Sequence, residues 1–405
     1  MDVVRRIQAF NAGREPERLQ LKYQRMRGDA FAFFRATCHL FHDRLPRTGV
    51  LRSAPLAWAC GDLHFENFGS YRGDNRQVYF DLTDFDEAAL APASWDLLRL
   101  LTSLWMGANS LGLRRREAQH LGQALLGAYT TALADGKAYW IERETAQGLV
   151  HRLLDGLKDR KRADFLASRT DKAGSRRVLR VDNGKALPAS AAQRDAVAGF
   201  MAGFAKAQPE PDRFKLLDVA RRIAGLGSLG SQRFVVLVAG AGGAAGASLL
   251  DLKSAQPSSL LPHLAGLPGA VQPRWPDQAV RLVALQRRLQ AVPMALLQAV
   301  WLGETPCLLR ELQPAEDRIS LDRADHSLAE MAQVVGSMGR LLAWAQLRSA
   351  GRQGSAPADA LIDFGQRKKW PDRLLDIAQD LAQQVRRDAA VFDAAFDEGA
   401  FAPAG

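Results

Sequence analysis

The chain has 405 residues, of which 47% are hydrophobic and 24% charged, and its formal net charge is +10. This composition is typical of a soluble globular protein with two or three lobes, and it excludes a small disulfide-stabilised domain and a largely disordered chain. The three cysteines, Cys38, Cys60 and Cys307, are far apart and lack metal-ligand spacing. We therefore expect reduced thiols in a cytoplasmic protein.

Two further features bear on membranes and nucleic acids. The N-terminal MDVVRRIQAF carries charges where a signal peptide needs an apolar run, and the weakly polar stretch 234–250 is interrupted by glycines. Neither secretion nor membrane insertion is therefore expected. The basic residues, for example those at 114–116 and 367–369, are dispersed among helical patterns without an aromatic-rich binding motif. We therefore expect solvated basic faces and no nucleic-acid partner.

The first third of the chain alternates helical and strand patterns. Residues 1–45 repeat apolar positions at helical spacing, with Asp29 expected as an N-cap. The strand patterns PLAWAC and QVYFDL follow, and then an apolar run at 94–111 predicts a buried helix. Further on, VLRVDNGKAL at 178–187 predicts a hairpin on an Asn-Gly turn.

The remaining pattern predicts an α+β protein. Strands and glycine-rich turns dominate from residue 211, with a helical stretch at 277–292, and the pattern is again helical from His326 to about residue 398. We therefore expect residues 1–210 to form the first part of a helical lobe. Residues 211–315 are expected to form a β-rich lobe, and 316–405 to supply the remaining helices.

Two polar motifs follow two of the predicted strands. The segment CGDLHFENFG, residues 60–69, places Asp62, His64 and Asn67 within six positions, and the segment 81–87 contains Asp84 and Asp86. Carboxylate-rich turns at the ends of neighbouring strands predict a cage for a hard cation such as magnesium, which prefers oxygen ligands.

The stretch from Cys60 to Ser103 resembles a known catalytic segment. It is similar to the aminoglycoside phosphotransferase and choline kinase branch of the protein kinase-like fold, in which a His-Gly-Asp-x-His-x-x-x-Asn loop precedes an Ile-Asp-Phe metal turn. The chain also resembles, over most of its length, an uncharacterised bacterial family with the motifs Gly-Asp-x-His-x-x-Asn-Phe-Gly and Asn-Asp-Phe-Asp-Glu. Cys60 and Thr83 depart from these patterns, where a histidine and an asparagine are expected.

The resemblance implies a role for each polar residue of the two motifs. Asp62 would accept or orient the proton of an acceptor hydroxyl, and His64 would belong to the same catalytic loop, where such residues are more often structural. Asn67 and Asp84 would hold Mg²⁺, and Asp86 a second ion or a water.

The same resemblance implies an ATP site, but its parts come late in the chain. The turn GLGSLG resembles a glycine-rich phosphate loop through Gly225, Gly227, Ser228 and Gly230, and Lys253 resembles the strand lysine that contacts phosphate. Read cyclically, residues 212–350 followed by 50–110 restore the usual order. The implied fold is therefore a two-lobed, circularly permuted kinase-like fold.

The comparison also bears on residues outside these motifs. No glutamate lies between Lys253 and Glu304, so Gln286 or Gln290 is expected to replace the usual lysine partner, unless Lys253 is oriented otherwise. Arg310 lies near the supposed hinge and is a candidate ligand contact. The sequence LIDFG at 361–365 spells a second metal turn, but its helical surroundings argue against a site.

The predicted function is an ATP- and Mg²⁺-dependent phosphotransferase whose partners are the nucleotide and an unknown hydroxyl acceptor, a small molecule or a protein. Three alternatives remain open at this point: nucleotidyl transfer, a non-catalytic nucleotide-binding regulatory module, and, less favoured, nucleic-acid binding.

Overall fold

The computed structural model describes residues 1–46, 49–157, 162–174, 176–181, 184–241, 246–312 and 318–402. Within these ranges, helices combine with one six-stranded and three two-stranded antiparallel sheets, which confirms the α+β prediction. A search of the same ranges for a helix with the length and apolarity of a membrane span finds none.

The N-terminal part begins with helices and continues with two strand pairs. The helices are α1 (Val3–Asn11), α2 (Pro16–Met26), α3 (Ala30–Ala36), α4 (Cys38–Asp43) and α5 (Gly49–Ser53). The carboxylate of Asp29 accepts hydrogen bonds from the amides of Phe31 and Ala32, both at 2.9 Å, which confirms the predicted N-cap. The strands are β1 (Leu56–Ala59), β2 (Phe68–Arg72), β3 (Val78–Leu82) and β4 (Ala89–Pro92), and β1 pairs with β4 while β2 pairs with β3.

A buried helix and a peripheral segment come next. They comprise α6 (Ser94–Gly107), α7 (Arg115–Asp135), α8 (Gly148–Gly156), α9 (Arg162–Ala167), β5 (Thr170–Ala173), β6 (Arg176–Leu179), β7 (Ala186–Pro188) and α10 (Ala191–Lys206). Every residue of α6 is buried, as its apolar sequence predicts. The hairpin predicted at 178–187 is wrong, because β6 pairs with β5 and β7 joins the large sheet. Its expected turn residues, 182 and 183, lie outside the described residues.

The large sheet forms the second lobe. Its other members are β8 (Leu216–Arg222), β9 (Arg233–Val238), β10 (Ser248–Ser254), β11 (Gln298–Leu302) and β12 (Thr305–Glu311), with α11 (Leu261–Leu264) and α12 (Gln278–Leu289) between β10 and β11. The strand order is β11-β12-β10-β9-β8-β7, so the sheet reaches back to residue 186. Strand β10, which carries Lys253, is therefore interior and has neighbours on both sides.

Three C-terminal helices complete the first lobe: α13 (Leu328–Arg348), α14 (Ala358–Gln366) and α15 (Trp370–Asp397). Helix α13 packs closely on α7, where a Cβ at Gly339 would lie only 2.4 Å from the carbonyl oxygen of Leu125. The hydroxyl of Tyr129 donates to Gln346 Oε1 at 2.5 Å across this contact. The decoy sequence at 361–365 lies inside α14, as its helical pattern predicts.

The hydrophobic core is continuous between the two lobes. The largest core cluster runs through the helices of the first lobe and includes Leu226 and Leu229 from the turn between β8 and β9. On one face of the sheet, Val197 and Met201 of α10 pack against the strands. The glycine-rich turn is therefore fastened to the helical lobe by burial of its two leucines.

Candidate active site

A cavity of about 500 Å³ is lined by residues of both lobes. The predicted site residues in its wall are Asp62, His64, Asn67, Asp84, Asp86, Gly225, Gly227, Ser228, Gly230 and Lys253. Folding thus brings the two acidic motifs of the first lobe to the glycine-rich turn and the lysine of the second. Two other predicted residues, Gln286 and Arg310, are not part of the wall.

Asp62 lies in a loop whose backbone amides are hydrogen-bonded to the side chain of Asp96. Gly61 has φ +84°, and the carboxylate of Asp96 accepts hydrogen bonds from the amides of Cys60 and Gly61 at 2.6 and 2.8 Å. Burial raises the pKa of Asp96 to about 6, although these two amides oppose the change. Asp96, at the start of α6, therefore braces the loop.

Arg99 fixes the side chain of Asp62. Its guanidinium donates to Asp62 Oδ1, from Nε at 2.8 Å and also from Nη2, and to the carbonyl of Phe34 at 3.0 Å. It also lies 4.1 and 4.8 Å from the ring centroids of Phe34 and Phe41. Burial would lower the pKa of Arg99, but the Asp62 carboxylate raises it above its ordinary value. Asp62 is thus held through one oxygen, Oδ1.

The other carboxylate oxygen of Asp62 faces the glycine-rich turn. A Cβ built on Gly227 would lie 3.7 Å from Asp62 Oδ2 and 3.3 Å from the carbonyl oxygen of Arg35. The backbone of the turn therefore approaches the carboxylate of Asp62 closely.

The loop geometry predicts a large effect of a small substitution, Gly61→Ala. A Cβ at this position would lie 2.3 Å from the carbonyl oxygen of Glu87, and the positive φ is strained for alanine. We expect the free energy of unfolding to fall by at least about 2 kcal/mol. Urea denaturation measures this, with Gly127→Ala in the exposed face of α7 as the control. No atom lies within 4 Å of that Cβ, so Gly127→Ala should stabilise the protein by about 0.5–1 kcal/mol. Equal effects at the two sites would contradict the strain at Gly61.

Asn67 is oriented so that its amide oxygen is available. The side-chain Nδ2 of Asn67 donates to the backbone carbonyl of Asp62 at 2.6 Å. The backbone carbonyl of Asn67 accepts from Thr83 N at 2.9 Å and from Thr83 Oγ1 at 3.0 Å. Thr83 therefore ties the first motif to the second. In the described part of the chain no donor binds Asn67 Oδ1, which leaves that oxygen for a ligand.

His64 lies in the cavity wall as a buried, neutral residue. Its ring contacts Phe31 edge-on at a centroid distance of 6.1 Å, and its Nδ1 has no hydrogen-bond partner among the described residues. Burial, and then the charge of Arg35, lower the pKa of His64 well below its usual value. This environment favours a structural role over proton transfer.

The carboxylates of the acidic turn differ in their partners: among the described residues Asp84 forms no ion pair, whereas Asp86 is paired with Lys253. Burial and the charge of Asp86 raise the pKa of Asp84, whose Oδ1 accepts from the amide of Asp86 at 3.3 Å. Burial by itself would raise the pKa of Asp86 as well. The ammonium of Lys253, which is hydrogen-bonded to Asp86, outweighs burial and lowers this pKa below its ordinary value. Glu87 is held by the amide of Ser259.

The donor chemistry fits a hard cation with few protein ligands. Across the described ranges, no three histidine, cysteine or carboxylate side chains form a metal-binding group. The wall does offer the amide oxygen of Asn67 and the carboxylates of Asp84 and Asp86. Magnesium commonly takes one or two carboxylates and completes its shell with water and phosphate oxygens.

The partner of Lys253 differs from the glutamine expected to replace the missing glutamate. Gln286 is 2% exposed and donates to Gln290 Oε1 at 3.2 Å, while Gln290 donates to the carbonyl of Leu82 at 2.7 Å. Neither amide reaches the lysine, since both point into the core between α12 and the first lobe. Lys253, which is 4% exposed, instead donates a hydrogen bond to the carboxylate of Asp86 in the first lobe.

Arg310 belongs to a buried charge cluster behind the glycine-rich turn and is not placed as a ligand contact. Asp251 accepts from Arg222 at 2.8 Å, Arg233 at 2.7 Å and Arg310 at 3.3 Å. Arg233 also donates to the carbonyl of Ala224, next to the turn, at 3.1 Å. Three arginines share this one carboxylate, which holds Arg310 within the sheet and away from the cavity wall.

The N-terminal segment holds the turn by its carbonyls, a feature the motifs did not indicate. Arg14 Nη1 donates to the carbonyls of Gly227 and Leu229 at 2.7 and 3.0 Å, and Lys22 Nζ donates to Gly227 at 3.1 Å. The amide of Glu15 donates to the carbonyl of Gly230 at 2.8 Å. A sequence signal existed for one missed residue, Arg99, because it is a cation inside the apolar run at 94–111 that predicts a buried helix.

Comparison with known proteins places the chain in a family. A family model described as "Uncharacterized protein conserved in bacteria (DUF2252)" matches residues 14–395. The chain therefore belongs to this bacterial family, which confirms the family resemblance expected from its motifs. No curated protein and no solved structure matches it.

Proposed function

We propose that this member of the family is an ATP- and Mg²⁺-dependent phosphotransferase that acts on a hydroxyl group. The observation that supports the proposal best is the composition of one cavity wall. Asp62, Asn67 and Asp84 share it with the glycine-rich turn and Lys253, although the two sets lie far apart in the sequence. Phosphoryl transfer requires such a combination of positioning and charge neutralisation.

The order of elements supports a circularly permuted kinase-like fold. Strand β8, the glycine-rich turn, β9, the lysine strand β10, α12 and β12 follow one another as the resemblance implies for a nucleotide lobe. They come after the catalytic loop in the sequence, yet they face it across the cavity. A permutation accounts for both facts.

Each residue then has a stated task in the reaction. As the acceptor oxygen bonds to the terminal phosphorus of ATP, its proton passes to Asp62 Oδ2, and the bond between that phosphorus and the bridging oxygen breaks to leave ADP. Arg99 keeps Asp62 aimed through Oδ1. Lys253 and the amides of the turn position the phosphates. Asn67 and Asp84 would hold magnesium, which offsets charge on the phosphate oxygens when bound.

One observation favours a second candidate, a non-catalytic nucleotide-binding module. Lys253 is paired with Asp86, so its ammonium is already neutralised. In a binding module this pair would persist with nucleotide present and no transfer would follow. Turnover separates the two candidates, and the mass added to a product separates phosphoryl from nucleotidyl transfer.

The assignment of Asp84 predicts magnesium-dependent nucleotide binding. ATP with Mg²⁺ should stabilise the wild type by about 2.7 kcal/mol at a concentration 100 times the dissociation constant. Thermal shift with and without Mg²⁺ measures this. In Asp84→Ala the Mg²⁺-dependent part should disappear, because a proposed ligand of the cation is lost.

The matched control is Asp74→Ala, which removes an exposed carboxylate from the turn between β2 and β3. It should leave the Mg²⁺ response intact. A full Mg²⁺ response in Asp84→Ala would contradict the metal assignment, and no response of the wild type to ATP would contradict the proposed function.

A further inference from the structure

Two arginines line the cavity on the Asp62 side of the glycine-rich turn. Arg35 and Arg318 both belong to its wall, and both bind the same oxygen of one carboxylate, Glu66 Oε2, at 2.7 and 3.4 Å. Glu66 directly precedes Asn67 in the catalytic loop. Two cations thus share one anion beside the proposed catalytic acid.

Arg35 is held rigidly against this loop. Phe31, one turn earlier in α3, stacks on Phe65 with a centroid distance of 4.6 Å and an interplanar angle of 1°. The guanidinium of Arg35 lies 5.6 Å from the Phe31 ring centroid, and its Nε is buried without a hydrogen-bond partner among the described residues. The side chain is therefore pre-organised and has a donor to spare.

In this part of the cavity two cations share one directly bound carboxylate, Glu66. Asp62 is paired with Arg99 and Asp86 with Lys253, while Asp84, which also lines the cavity, acts on Arg318 only through its charge. Burial lowers the pKa of Arg318, and the charge of Arg35 lowers it further. Among the described residues, Glu66 alone forms ion pairs with them. An anion bound between the two guanidinium groups would relieve this repulsion.

We propose that the hydroxyl acceptor is an anionic small molecule, whose phosphate or carboxylate group binds Arg35 and Arg318 while its hydroxyl reaches Asp62. This inference rests on the proposed phosphotransferase function and names the substrate class of the same site. The nucleotide phosphates have their own partners in the glycine-rich turn and Lys253. The two arginines bind Glu66 of the first lobe and neither the turn nor Lys253, so we assign them to a second anion.

The test uses three matched three-carbon alcohols: glycerol 3-phosphate, glycerate and uncharged glycerol. Binding is measured by calorimetry on the full chain saturated with Mg²⁺ and a non-hydrolysable ATP analogue. We expect at least one of the two anions to bind and glycerol to bind at least about 10-fold more weakly, since each charge-assisted hydrogen bond contributes strongly. The stronger of the two anions identifies the preferred group.

Variants then locate the anion. Arg35→Gln and Arg318→Gln should each weaken the anion about 10-fold and leave affinity for the ATP analogue within about 2-fold, whereas Arg35→Lys should retain part of the anion affinity. Arg27→Gln, which removes an exposed pair with Asp397, is the control and should change neither affinity.

Several outcomes would overturn the inference. The inference is wrong if glycerol binds as tightly as the anions, or if neither anion binds. It is also wrong if both variants keep the wild-type anion affinity. A loss of affinity for the ATP analogue as large as the loss for the anion would place the arginines on ATP. Failure of the wild type to bind the ATP analogue is a different result and counts against the phosphotransferase function itself.

Discussion

Replacing Asp62 with asparagine should lower ATP-dependent turnover about 10²- to 10⁴-fold, the range typical of a lost general base. The amide keeps the size of the carboxylate but cannot take the acceptor proton through Oδ2. ATP turnover by the purified variant, with an acceptor that the wild type uses, measures the effect.

The same substitution should also reduce stability, which supplies a check on the structure. Arg99 is fully buried, and Asp62 is its ion-pair partner. Removing one member of a buried pair typically costs about 3–5 kcal/mol, and the 20% exposure of the Asp62 side chain places the expected loss below that range.

Nucleotide binding by Asp62→Asn must be measured beside turnover, so that loss of folding is not mistaken for loss of catalysis. Retained binding with lost turnover supports the catalytic role. Unaltered turnover with retained binding would show that Asp62 is not the base and would favour a different transfer mechanism.

Asp251→Asn is expected to have the largest effect on stability. Asp251 is 1% exposed and is the shared carboxylate of Arg222, Arg233 and Arg310, whose side chains are 14, 7 and 13% exposed. Asparagine would remove the carboxylate that these three largely buried guanidinium groups share, so we expect a loss of about 3–5 kcal/mol in urea denaturation. The control, Asp397→Asn, breaks a pair whose side chains are about half exposed and should destabilise the protein far less.

The pH dependence of this loss follows from the pKa of Asp251. Burial opposes its ionisation, but the arginines outweigh burial and hold the pKa well below its ordinary value. Because the pKa of Asp251 is lower in the folded than in the unfolded protein, its ionisation stabilises the fold fully at pH values above the unfolded-state pKa, near 3.9. This stabilisation decreases as the pH falls from there toward the pKa of the folded state. The difference between wild type and Asp251→Asn should therefore be constant from neutral pH to about pH 5 and shrink below about pH 4. A difference that stays constant down to pH 3 would contradict the ion-pair origin.

The sequence predicted local features well where the information was local. The helix start at Asp29, the buried helix at 94–107 and the helical environment of the decoy at 361–365 each follow from residues within one or two turns. The hairpin at 178–187 failed because its two strands prefer other partners in the sheet. Strand pairing is a tertiary choice that a turn signal alone does not fix.

The partners of the site residues show the same division. The missing glutamate indicated that Lys253 needs another partner, and the pattern pointed to a glutamine of the following helix. The folded chain supplies Asp86 from the other lobe. Likewise, a charged Arg99 inside a largely apolar helix requires a counter-ion, but only the packing of α6 against the loop at 60–69 selects Asp62.

By itself, the sequence determined the chemical types and their spacing: an acidic loop at 60–69, an acidic turn at 81–87, a glycine-rich turn at 225–230 and a lysine in a strand. Only the tertiary structure decided that these four segments line one cavity, that the N-terminal segment holds the glycine-rich turn, and that Arg35 and Arg318 line the same cavity as Asp62. The reason is physical, since spacing fixes which side chains share a strand end or a helix face. Contacts between distant segments depend instead on which buried surfaces and charges find partners when the lobes pack.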